Sequence, residues 1–276
     1  MAVSSISTAQ NLDGKPYDPA VDPNVDMFMG NWKYSMPRHS HGSLIERDIL
    51  TKGDNMNPVS KGAVMKYTNR FAHATLEGNA STTPTTLTGE QEIFYFLSGS
   101  GTIDAGGKTA DLHTGIAVLM PEGLEFTIKN TGSEQLTMYL ISEPVPEGFT
   151  PLKNMLVKDE LSMPIGGSNW HWAHIGKSVF SQNEGLATLY SVLTIGFAPM
   201  TISHPHSHDP GCEEVWTGIY GTTVAFIGKQ IRMQPPGTAY NIPPDSKTPH
   251  CNLNTSDTQA KLLYFSVRKD IDGTGL

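Results

Sequence analysis

His204, His206 and His208 stand within five residues of one another, and Glu213 and Glu214 follow almost at once. That density of donors is what a bound metal ion requires. In an extended chain alternate side chains share a face, so His206 and His208 point the same way, and a carboxylate returning after a short turn can join them. A fourth donor, His250, arrives downstream in the run from Gly237 to Asn254. Neutral imidazoles with one carboxylate suit a borderline divalent ion, and iron, manganese, nickel, cobalt, copper and zinc are all chemically admissible. In an octahedral shell, four protein ligands leave two adjacent positions open. Water, dioxygen or a substrate chelating through two oxygens can take them, with the metal acting as a Lewis acid or lowering the pKa of bound water.

These donors must be carried on strands, and the spacing of the surrounding glycines shows how. Six residues separate Glu214 from Gly221, and Gly237 opens a second apolar run that ends at Pro243. The same frame occurs earlier in the chain. Six residues separate Glu92 from Gly99, Gly115 stands 23 positions after Glu92, and Gly237 stands 23 after Glu214. The inner interval, from Gly99 to Gly115 and from Gly221 to Gly237, is 16 in both copies. Agreement at two intervals marks an internal repeat.

With this frame the sequence resembles the cupin superfamily. The first cupin motif is met by His206, His208, Glu214 and Gly221, and the second by Gly237, Pro243, His250 and Asn254. The gap before Glu214 is one residue longer than usual. Glu213 restores the gap but misses the glycine by one, so it stands as the alternative ligand. Two extra residues lie between Pro243 and His250. The resemblance implies an all-β fold of two tandem jelly-roll barrels, a bicupin, with one divalent transition metal ion in the C-terminal barrel, held by His206, His208, Glu214 and His250. In the first copy the ligand positions fall on Pro84, Thr86 and Phe126, with Asn130 in the asparagine place, and Glu92 alone remains. This half reads as structural, or as a pocket without metal. His39, His41 and Glu46, followed by Gly53, also fit the first motif on spacing, but no second motif follows, and the expected reading is a surface loop.

The expected organisation is an N-terminal arm over 1–60, a first barrel over 61–150, a linker over 151–185 and a second barrel over 186–270. Evenly spaced β-rich runs support the barrels: 63–68, 91–97, 101–104, 116–120, 124–129 and 136–141 in the first, and 189–195, 214–220, 223–227, 237–242 and 261–267 in the second. Three prolines between Glu143 and Pro151 close the first barrel. Within the linker, Trp170, His171, Trp172 and His174 are read as aromatic packing between the barrels. The resemblance implies that an arm of this kind wraps either the neighbouring barrel or, in a homodimer, a partner subunit.

A net charge of −8 with no basic stripe argues against nucleic acid as a partner. No apolar run is long enough to span a bilayer and the first residues lack a secretion signal, so the expected location is the cytoplasm. Cys212 and Cys251 are too few for a disulfide framework; Cys251 reads as a small buried residue facing away from the metal, and Cys212 as a loop thiol that could serve as a soft ligand but is disfavoured beside three imidazoles and a carboxylate. Tyr240 and His204 are the candidate catalytic residues, with Trp216, Glu213 and Asn254 as further pocket candidates. The site points to an enzyme acting on a small chelating polar metabolite, with dioxygenase-type chemistry favoured. A redox-neutral isomerase, lyase or hydrolase on a small sugar, acid or ureide is the alternative, and a non-enzymatic metal- or sugar-binding protein the third reading. Bicupins with one emptied barrel, such as the ureidoglycine aminohydrolases, share the layout but not this ligand pattern.

Overall fold

The computed structural model describes residues 16–166, 172 and 174–269. Among them the chain is almost wholly β, with four short 3-10 turns, and its strands form four sheets. An eight-stranded and a three-stranded sheet enclose one apolar interior, built from residues such as Phe94, Phe96, Ile103, Phe126 and Met138. A six-stranded and a four-stranded sheet enclose another, built from Ile195, Phe197, Trp216, Ala225, Tyr240 and Tyr264. These are the two jelly-roll barrels.

The larger sheets of the two barrels face each other across a third cluster that includes Phe71, Ile93, Tyr95, Ile141, Val192, Val215, Phe265 and Val267. Strand alternation makes this possible. On Glu90–Ser98, Phe94 and Phe96 fill the first barrel while Ile93 and Tyr95 meet the second. On Cys212–Tyr220, Trp216 points inward and Val215 outward. Phe71 and Phe265 meet edge to face at 5.2 Å between centroids, and the Tyr139 hydroxyl donates to the Gly218 carbonyl at 2.5 Å.

The segments read as arm and linker both supply strands. From the first, Leu44–Lys52 and Arg38–Ser40 extend the eight-stranded sheet beyond Arg70–Leu76. From the second, His174–Ser181 extends the six-stranded sheet beyond Ser191–Phe197. The leading strands are exchanged. Met29–Asn31, which precedes the first barrel in sequence, pairs with Thr238–Asn241 of the second barrel. Leu156–Asp159, which precedes the second, pairs with Ile116–Met120 of the first. Each barrel thus closes its edge with a strand from the other half.

The repeat extends to single side chains. Asn130 Nδ2 donates to the carbonyls of Leu76, Glu77 and Glu134. Asn254 Nδ2 donates to those of Phe197, Ala198 and Thr258. Each amide ties off three carbonyls where two strands enter turns, so Asn254 is a turn-fixing residue rather than a pocket wall. Gly221 has φ of +71°, and a Cβ there would stand 2.8 Å from the Ala260 Cβ, so the glycine of the first motif is required by both conformation and space.

Candidate metal centre

The strand Cys212–Tyr220 places Glu214 inside the second barrel, and His250 begins the strand His250–Asn254 opposite it. His206 forms an antiparallel bridge with His250, which brings the His206–His208 segment over the same point. The departures from the motif are absorbed in turns. The longer gap before Glu214 contains Gly211 at φ +101°. The residues added before His250 form a turn in which Asp245 accepts the N–H groups of Lys247 and Thr248 and the Thr248 hydroxyl.

The side chains of His206, His208, Glu214 and His250 converge, with one ligand atom from each lying within 4.8 Å of all the others. The Nε2 atoms of His208, His250 and His206 are 2.5, 2.9 and 3.9 Å from Glu214 Oε2. With metal–ligand bonds of about 2.0–2.2 Å, adjacent donors lie about 3 Å apart and opposed donors about 4.3 Å. The cluster therefore fits one ion after small side-chain adjustments. The tautomer of His206 also fits. Its Nδ1–H donates to the His204 carbonyl at 3.0 Å, which leaves the Nε2 lone pair for a metal.

Glu214 and His250 are fully buried, so the carboxylate needs a cation. Without a metal, a proton serves. Burial opposes the charge on His208, but the Glu214 carboxylate and the Cys212 beside it outweigh that and raise its pKa to about 10. Burial, then His250, push His206 down to about 3. Despite its own burial, Glu214 is held well below the ordinary carboxylate range, chiefly by His208.

Glu213 faces the other way, out of the barrel and into the interface, where its carboxylate accepts three backbone N–H groups of the first barrel. Tyr240 is fully buried 6.2 Å from His250, and its hydroxyl is engaged, donating to Asn252 Oδ1 at 2.7 Å. His204 stacks on His206 at 5.9 Å, and the exposed Trp172 meets its edge at 5.1 Å. His174 lies 5.4 Å from Trp216 and 5.0 Å from Phe197. Trp172 and His174 therefore pack on residues of the second barrel, not between the barrels as expected of them, because His174 is registered opposite Phe197 and Trp172 meets His204. Trp170 and His171 lie outside the described residues. The indole N–H of Trp216 is buried without an acceptor among the described residues. Sequence reasoning missed Tyr264, which packs on Trp216 at 4.7 Å and whose phenol is raised first by burial and next by Glu214. Its signal was only its cross-strand register with Trp216.

The first barrel treats its glutamate differently. Glu92 is fully buried, bonded by Arg70 Nη2 at 2.5 Å and faced by His41 Nε2 at 3.1 Å. His41 thus belongs to the barrel interior, packed against Phe126 at 5.5 Å, and Glu46 is fully buried on Arg38, Arg70 and Ser40. For His41 and Glu46 the surface-loop reading is overturned, because Leu44–Lys52 pairs with Arg70–Leu76 and carries its neighbours inward, whereas His39 is exposed.

Residues 72–142 match the family described as Cupin domain. No curated protein matches. Among solved structures the chain is similar to AerE from Microcystis aeruginosa, at TM-score 0.66 and 14% identity over 88% of this chain and 100% of that one. It is also similar to a single-site variant of oxalate decarboxylase from Bacillus subtilis, at 0.65 and 13% over 92% and 80%. A third likeness is to the bacterial pirin YhhW of Escherichia coli in complex with nickel(II), at 0.65 and 12% over 87% and 98%. At these identities the likenesses speak for the fold. The family match over the first barrel and the repeat of its frame in the second agree with them in giving the chain a two-barrel cupin fold.

Proposed function

We propose that the protein is a metal-dependent enzyme in which His206, His208, Glu214 and His250 hold one divalent transition metal ion. The observation that carries this is the convergence of four donors on one point inside the second barrel. The nickel(II) complex of the pirin relative is consistent with it. When bound, the metal supplies Lewis acidity and, if redox-active, a means of bringing a substrate and dioxygen together.

The surrounding side chains limit what the protein itself contributes. Among the described residues, the buried carboxylates near the second barrel other than Glu214 are already engaged, Glu213 and Glu143 between the barrels and Glu160 by Thr194 and Lys261. Tyr240 is bonded to Asn252, so its proton is not free for transfer. Trp216 offers one buried donor to an oxygen of a ligand, with the ring of His174 packed on it and that of His204 stacked on His206. This environment suits a small polar metabolite that chelates through oxygen, with dioxygenase-type chemistry as the first reading. His204 favours a second, redox-neutral reading. It adjoins His206 and is partly exposed, where an imidazole can carry protons between substrate and solvent.

Metal analysis of the purified protein, followed by turnover assays on small hydroxy- and oxo-acids with and without oxygen, tests the proposal. Iron content with oxygen uptake supports the first reading. Anaerobic turnover that falls with His204→Gln supports the second, and metal binding without turnover on any substrate would sink both.

A further inference from the structure

Glu214 is held from the first barrel through two side chains, Glu213 and Asn241, that are not themselves among the four donors. The carboxylate of its neighbour Glu213 accepts the N–H groups of Lys66 at 2.5 Å, Tyr67 at 2.9 Å and Thr68 at 3.0 Å. On the adjacent strand, Asn241 Oδ1 accepts the N–H of Glu214 itself at 3.3 Å, while its Nδ2 donates to the Val64 carbonyl at 2.8 Å. Glu213 and Asn241 are both buried. The segment from Val64 to Thr68 therefore grips the Glu213–Glu214 peptide twice, once through the preceding side chain and once through the backbone N–H of the ligand residue.

We propose that Glu213 and Asn241 are positioning residues through which the first barrel sets the direction of the Glu214 carboxylate toward the metal. This rests on the metal-binding reading of the cluster. A carboxylate ligand takes its orientation from the backbone that carries it, and losing outer partners of a metal ligand typically lowers metal affinity by about 10- to 100-fold. On this view the first barrel serves the site as a fixed abutment.

The same fold supplies a control. Glu143, on Leu136–Pro144, accepts the N–H groups of Ala187 at 3.0 Å, Thr188 at 2.6 Å and Leu189 at 2.6 Å, and one from Gln91 Nε2 at 2.7 Å. It joins the barrels as Glu213 does, in the opposite direction, from a strand that carries none of the four donors. Adhesion between barrels and positioning of the ligand can therefore be separated.

The experiment is a cobalt(II) titration of the full chain, reading affinity and the ligand-field absorption bands, for wild type, Glu213→Gln, Asn241→Ala and Glu143→Gln. Glu213→Gln and Asn241→Ala are expected to weaken cobalt binding about 10-fold and to shift the bands. Glu143→Gln should lower thermal stability while leaving both at wild-type values. Wild-type affinity and bands in Glu213→Gln and Asn241→Ala would overturn the proposal, as would an equal change in Glu143→Gln. If Glu213→Gln does not fold, Asn241→Ala, which keeps the carboxylate in place, decides alone. Failure of the wild type to bind cobalt would instead overturn the metal reading, and this proposal with it.

Discussion

Glu92 and Glu214 occupy the same register position in the two barrels, and the cation each is given separates their chemistry. Glu92 has Arg70 and His41; Glu214 has three imidazoles. A buried carboxylate already paired with a guanidinium has no use for a metal, so the protein is expected to bind one ion per chain, as elemental analysis after dialysis would show. His206→Ala, His208→Ala and His250→Ala should each lose that ion while the circular dichroism spectrum stays β-type, since the barrel cores do not rest on these groups. Glu214→Gln should weaken binding more than any change at Glu213. His206, His208 and Glu214 were legible together because strand alternation makes their spacing local, and His250 through the second motif of the family resemblance. His41 was not, because it reaches Glu92 from 51 positions away in sequence, and only the sheet pairing brings it there. A separate prediction concerns His73, stacked on Trp32 at 4.5 Å and pushed down to about 4 by burial and Arg47. Its folded pKa lies below the unfolded value of 6.5, so the unfolded chain gains the proton first and stability falls as pH drops from about 6.5 to 4. His73→Phe, which keeps the stack, should gain on wild type by up to roughly 3 kcal/mol across that window in urea denaturation.

The strands that sequence revealed are the central ones, where apolar runs are bounded by glycines that both copies share. Those it did not reveal are short or polar. Lys108–Leu112 is mostly polar and exposed, Gln230–Gln234 inverts the usual pattern by burying its glutamines and exposing Ile231 and Met233, and Met29–Asn31 and Leu156–Asp159 are three and four residues long. Such strands exist because a neighbouring edge needs a partner, so tertiary pairing, not local propensity, specifies them. Turns were read better by position than by role. Asn254 was placed with the pocket, yet its amide serves three carbonyls. Asn254→Ala and Asn130→Ala should therefore each cost about 2–3 kcal/mol, as buried acceptors lose their donor. Thermal melts would check this, and metal content should stay unchanged in the stable fraction.

At the scale of the whole molecule, two barrels were visible in the repeat, but the way they are joined was not. The boundary near Pro144–Pro151 marks the end of the first barrel in sequence and not in space, because Leu156–Asp159 lies beyond it and completes the first barrel's sheet. The interface that both barrels share is apolar and extensive, and truncating a side chain such as Phe71 or Phe265 should cost about 3–5 kcal/mol, a large part of the stability of a typical domain. The chain should accordingly unfold in one thermal transition and not two, as calorimetry would show.

The reciprocal loan of Met29–Asn31 and Leu156–Asp159 has a consequence for a chain cut in two. Each fragment would carry the strand that the other lacks, so neither could cover its sheet edge alone, yet together they hold every pairing of the intact protein. Residues 1–149 and 150–276 should each aggregate when produced separately and should co-purify as a complementing pair when produced together, the cobalt bands returning only on assembly. The peptide bond between the halves is then dispensable, and a protein joined elsewhere, with new ends at that cut, should still find the same fold.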